Sequence, residues 1–125
     1  MRFAHTMVRV SNLEESLTFW CVIFGRTETH RLVFEEARCT LVYLAAPQDE
    51  TASRTTRAPE LELTHNWDGG ETLKTGRSWG HVAYYVDDIY AACQDLMDKG
   101  VTINRPPRDG RLAFIKSPDN ISIEL

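Results

Sequence analysis

The sequence contains no long apolar run, and its hydrophobic stretches fall well short of the ~20 residues that cross a bilayer. A helical membrane protein is thereby excluded. It also lacks any cluster of basic residues and carries a net charge of −4, which argues against nucleic acid or an anionic membrane as partner. A small molecule is the better expectation. Cysteine is scarce: Cys21, Cys39 and Cys93 are odd in number and form no C-x-x-C pair, so free thiols are expected rather than a disulfide framework. No apolar signal segment follows Met1 and Arg2, and the expected location is the cytoplasm. At 42% hydrophobic and 26% charged over 125 residues, the chain reads as one globular domain, with room for two half-size modules sharing a core.

What is present is a repeat. From His5 the sequence reads HTMVRVSNLEESLTFWCVIFG, and from His81 it reads HVAYYVDDIYAACQDLMDKG. Each copy opens on a histidine, reaches valine five residues later (Val10, Val86) and then a capping residue (Asn12, Asp88). An aliphatic residue follows (Leu13, Ile89), and each copy closes on glycine (Gly25, Gly100). The alternating starts predict strands over 3–10 and 81–86. Asn12 with Glu15 forms a capping box ahead of an apolar face of Leu13, Leu17, Trp20, Cys21 and Phe24. In the second copy Asp88 caps a stripe of Ile89, Ala92, Cys93, Leu96 and Met97. Three further strands are expected after each helix: 31–36, 40–45 and 61–66, then 101–104, 111–116 and 121–125. The expected fold is α+β, a single domain of two βαβββ modules over about 1–66 and 78–125 joined by a linker at 67–77. The polar stretch from Pro47 to Pro59 reads as a mobile loop.

The duplication singles out four side chains. The first strand of each copy carries a histidine, His5 or His81, and the last strand carries a glutamate, Glu62 in LELT or Glu124 in ISIEL. Taken singly, each is an ordinary strand residue. Taken as a duplicated pair of pairs, modules related by approximate twofold symmetry bring them to one place. Two imidazoles and two carboxylates suit an intermediate divalent metal, such as nickel, zinc, cobalt or iron(II), better than calcium. Strand alternation puts Arg9 on the side of His5 and Asn66 on the side of Glu62, a cation and an amide suited to an anionic, peptide-like ligand. His30 and His65 have no counterparts in the other copy and read as structural or exposed.

HTMVRV, LELTHNW, GHVAYYVDDIYAAC and LAFIKSPDNISIEL together resemble glyoxalase I, the lactoylglutathione lyase family of the vicinal oxygen chelate superfamily, over nearly the whole chain. The resemblance puts the metal ligands on His5, Glu62, His81 and Glu124, the residues that the repeat selects. It implies glutathione as co-substrate, held by Arg9 and Asn66 and by basic residues matching Arg77 and Arg105 from the other subunit of a homodimer. Leu112 and Phe114 would line the pocket for the aldehyde-derived group. The implied reaction is isomerisation of the methylglyoxal–glutathione hemithioacetal to S-D-lactoylglutathione, a detoxification. It proceeds by proton abstraction beside a carbonyl, with the metal stabilising the enediolate. Glu124 is the implied base, and Glu62 would serve the mirror-image face.

Some features depart from the family pattern. Ser122 stands where some members have an aromatic residue, and PDN replaces PDG. Leu125 follows Glu124 directly, so the last strand is expected to be weakly anchored. The chain lacks the extension and insertions of zinc-preferring relatives and resembles the short bacterial type. Nickel is therefore the expected ion, one per site, with zinc or cobalt as alternatives. Competing readings on the same fold are a dioxygenase or epimerase, and a non-catalytic drug-sequestering protein. An iron site of two histidines and one carboxylate needs no fourth ligand, and a drug-binding cleft gives Arg9 and Asn66 no role.

Overall fold

A computed structural model describes residues 1–69 and 72–125, and the chain divides into two compact units, Met1–Leu73 and Lys74–Leu125. The division falls within the stretch expected as a linker, of which Gly70 and Glu71 lie outside the described residues.

The first unit is built on strands β1 (His5–Arg9), β2 (Thr27–Phe34), β3 (Cys39–Ala45) and β4 (Glu60–Asn66), ordered β1-β4-β3-β2. β1 runs parallel to β4, while β3 is antiparallel to both β2 and β4. Helix α1 (Leu13–Leu17) starts where Asn12 Oδ1 accepts the Glu15 backbone N–H at 3.0 Å. It then widens into a π-helical stretch, Thr18–Ile23, which ends at Gly25 in the left-handed conformation with φ 72°. The wide turn changes which residues face inward. Phe19 joins Trp20 and Phe24 in an edge-on and stacked aromatic group, while Leu13, Leu17 and Cys21 are only half buried. The other face of the sheet core is supplied by Val8, Val42, Leu44, Leu61 and Leu63, all buried. This alternation leaves His5, Glu60, Glu62 and Thr64 on the opposite face.

The segment expected as a loop after Pro47 is helical. A 3₁₀ turn (Pro47–Asp49) leads into α2 (Glu50–Thr56). Threonine and serine are poor helix formers, and the helix rests on tertiary bonds instead. Arg54 pairs with Glu50 at 2.8 Å and donates to the Thr29 and Glu28 carbonyls at 3.0 and 3.3 Å, while Ser53 is fully buried.

The second unit repeats the plan with less sheet. β5 (Val82–Ala83), β6 (Phe114–Lys116) and β7 (Ser122–Glu124) are ordered β5-β7-β6, with β5 parallel and β6 antiparallel to β7. Helix α3 (Ile89–Asp98) is capped by Asp88, whose Oδ1 accepts the Tyr90 and Ala91 N–H groups at 2.9 and 3.0 Å. Its Ile89, Cys93 and Leu96 are buried, as are Ala113, Ile115, Ile121 and Ile123, whereas Met97 is exposed. The strand expected over 101–104 is reduced to a bridge between Arg105 and Phe114. Val101 is drawn instead into the end of α3 by donating to the Leu96 carbonyl at 2.9 Å. The weak anchoring expected of the last strand is also corrected: Leu125 is buried and exchanges two backbone hydrogen bonds with Ala113, at 2.9 and 3.1 Å. All three cysteines are free, and burial pushes the Cys21 and Cys93 thiols above their ordinary values. Among the described residues no helix is long and apolar enough to cross a membrane.

Candidate metal and substrate site

In the first unit, β1 and β4 lie side by side with His5 opposite Glu60 and Met7 opposite Glu62. His5 reaches Glu62 across this register, with Nε2 3.1 Å from Oε2. In the second unit β5 and β7 repeat the parallel pairing, and His81 Nε2 stands 3.0 Å from Glu124 Oε2. Both pairs are direct imidazole–carboxylate contacts, and their nitrogen and carboxylate donors are of the kinds that fit an intermediate divalent metal. Among the described residues no three His, Cys, Asp or Glu side chains gather as a metal-holding group, so the structure presents pairs rather than a finished site.

The surroundings of the first pair are polar and buried. Glu62 is only 7% exposed and accepts the Thr64 hydroxyl on Oε1 at 2.9 Å. Tyr43 lies opposite Glu62 on β3, with its ring edge-on to His5 at 5.6 Å. Burial first, then the hydrogen bond and charge of Glu62, push the Tyr43 phenol up to about 12, which keeps it a donor at neutral pH. One strand further out, His30 stacks on Tyr43 at 4.0 Å with Nδ1 3.5 Å from Glu60, and burial pulls the imidazole below its ordinary value. Glu60 is itself buried and accepts the Thr29 hydroxyl at 2.9 Å and the Ser53 hydroxyl.

Sequence reasoning missed Tyr43, Thr64 and Glu60. Counting two residues either way from Glu62 along the strand would have found Thr64 and Glu60. Tyr43 needed the antiparallel register. His30, read as structural or exposed, is half buried against these groups.

Arg9 and Asn66, at the far ends of β1 and β4, are joined by a 3.1 Å hydrogen bond from Nη1 to Oδ1. They line a cavity of about 250 Å³ together with Val10, Ser11, Asp68 and Leu73. In the second unit Glu124 borders a cavity of about 320 Å³ with Tyr85, Ile89 and Arg111. Phe114 stands edge-on to His81 at 5.4 Å, and the Arg105 guanidinium lies 5.8 Å from the Phe114 ring centre. Leu112 is half buried two residues before Phe114. Arg77 is exposed on a turn and makes no hydrogen bond or ion pair among the described residues, so within its own unit it is not tied to His81 or Glu124.

Comparison with known proteins places these features in context. The sequence profile of the Glyoxalase/Bleomycin resistance protein/Dioxygenase superfamily matches residues 2–125. A lactoylglutathione lyase of Neisseria meningitidis is 40% identical over 130 aligned residues, spanning 100% of this chain and 89% of that protein. A probable lactoylglutathione lyase of Synechocystis is 34% identical, spanning 100% of this chain and 94% of its own length. Among solved structures, the trypanothione-dependent glyoxalase I of Leishmania major superposes with a TM-score of 0.86 at 30% identity. That match covers 100% of this chain and 85% of the other.

Proposed function

Because the chain belongs to the glyoxalase/bleomycin resistance protein/dioxygenase superfamily, we propose that it is a lactoylglutathione lyase, converting the hemithioacetal of methylglyoxal and glutathione to S-D-lactoylglutathione. The observation that carries this reading is the pair of equivalent His–Glu contacts, 3.1 and 3.0 Å, at the same place in two similarly ordered sheets. Bound by His5, Glu62, His81 and Glu124, a divalent ion, nickel in the first instance, supplies Lewis acidity toward the neighbouring substrate oxygens. The chain's own groups do the rest.

Glu124, half exposed at the edge of its cavity, takes the proton from the carbon beside the substrate carbonyl and returns it to the adjacent carbon. Glu62 faces the mirror-image side. His5 and His81 hold and orient. Arg9 and Asn66 bind the charged peptide portion of the thiol, the guanidinium matching a carboxylate and the amide a peptide group. Leu112 and Phe114 offer apolar surface to the small aldehyde-derived group. The working form is a homodimer acting in the cytoplasm, with Arg77 and Arg105 completing the thiol site of the second copy. The thiol is glutathione, and the trypanothione dependence of the Leishmania relative makes trypanothione the control to run beside it.

Metal-reconstituted protein, given methylglyoxal and glutathione, should form thioester detectable by absorbance. No product with nickel, cobalt or zinc would overturn the proposal. Light scattering at assay concentration should report a dimer, and a monomer would contradict the two-chain site.

A further inference from the structure

The two carboxylates are held in different ways. Glu62 is buried, with the Thr64 hydroxyl donating to it at 2.9 Å, Tyr43 opposite it on the facing strand and Oε2 left facing His5. The Glu124 side chain is 28% exposed, and among the described residues its one side-chain partner is His81. Thr64 supplies part of this difference from the same strand, and a further part lies across the strand. Tyr43 is the antiparallel partner of Glu62, and Phe114 is the antiparallel partner of Glu124. The two rings stand edge-on to their histidines in nearly the same way, at 5.6 Å and 80° for Tyr43 and 5.4 Å and 77° for Phe114. The exchange of tyrosine for phenylalanine keeps the ring packing and removes the phenolic oxygen.

We propose that Tyr43 and Thr64 are positioning residues that fix Glu62 beside His5 as a permanent ligand, leaving Glu124 as the one carboxylate free to move and carry the proton. The inference rests on the metal-site reading above. Turning Glu62 away from His5 breaks the charge-assisted hydrogen bond from Thr64 and leaves two buried side chains, Tyr43 and Thr64 at 8% and 7% exposed, without the carboxylate they pack around. Turning Glu124 away strands no hydroxyl. Carboxylate mobility is thus set by the hydroxyls around each glutamate, in two sheets that otherwise pair the two in the same way.

The test is metal affinity, measured with nickel and zinc by chelator competition on the full chain. Glu62→Gln should weaken binding about tenfold or more, whereas Glu124→Gln should weaken it no more than about threefold. The double variant Tyr43→Phe/Thr64→Val should lose about tenfold, while Thr64→Ser, which keeps the hydroxyl, should bind as the parent does. In kinetics, adding Tyr43→Phe/Thr64→Val to Glu124→Gln should raise kcat at unchanged KM, because Glu62 is then released to act. Thr64→Val alone serves if the double variant does not fold. Equal losses for the two glutamate variants, with no effect of removing the hydroxyls, overturn this inference alone. Parent protein that takes up neither metal overturns the metal-site reading and this inference with it.

Discussion

The two His–Glu pairs share a backbone plan and differ in what surrounds them. His5 and Glu62 sit in a four-stranded sheet among Tyr43, Thr64, His30 and a buried Glu60, with the Thr29 and Ser53 hydroxyls donating to Glu60 and the Thr64 hydroxyl to Glu62. His81 and Glu124 sit in a three-stranded sheet where Phe114 stands in the place of Tyr43 and Ser122 in that of Glu60. Duplication explains why each unit turns an imidazole toward a carboxylate. It does not explain which carboxylate is rigid, because that depends on neighbouring strands whose sequences have diverged. One half is thus suited to holding and the other to moving.

The comparison can be broken most sharply at Glu124. Glu124→Gln should lower kcat by about a thousandfold, within the range that a proton-transferring group contributes, with KM changed little. Steady-state kinetics would show a parallel rise in KM if Glu124 mainly bound substrate. The next largest effect falls on Arg9 and its positional equivalent Tyr85, four residues after each histidine. Arg9→Ala should raise KM for the glutathione adduct by about ten- to a hundredfold, the worth of hydrogen bonds to a charged group. Tyr85→Ala should leave KM within about twofold, since this exposed ring has no charge to offer.

Phe114→Tyr sharpens the comparison from the other side by placing a phenol opposite Glu124, where only ring packing exists now. Its kcat should fall by about tenfold as Glu124 is tethered, while thermal stability should hold or rise slightly. The smallest effect concerns His30. Burial holds its imidazole below the ordinary value, so protonation costs the folded state more than the unfolded chain. Its contribution to stability is therefore complete above about pH 6.5 and is lost progressively as the pH falls below that value. The urea midpoint should drop between about pH 7 and pH 5.5 in the parent protein, and His30→Gln should show a shallower drop.

Much of this arrangement was legible in the sequence wherever one strand or one helix carried the signal alone. Asn12 and Asp88 announced their caps because a cap is a local hydrogen bond, and both accept the bonds expected of them. The first-strand histidines and last-strand glutamates could be found because the repeat aligns them. α2 was not legible, because its TASRTT segment has little helical preference and depends on Arg54 reaching carbonyls of β2. The π-helical widening that turns Phe19 inward breaks the 3.6-residue period on which a helical face is read. Tyr43 was out of reach for a different reason: only the pairing of β3 with β4 reveals that it faces Glu62, and that pairing is a long-range fact.

The phenolic oxygen that separates Tyr43 from Phe114 has a genetic reading. Tyrosine and phenylalanine codons differ by one nucleotide, so this part of the contrast between the halves is a single point mutation wide. The balance between holding and moving can therefore be shifted by one hydroxyl on an existing ring, with no new fold, loop or ligand.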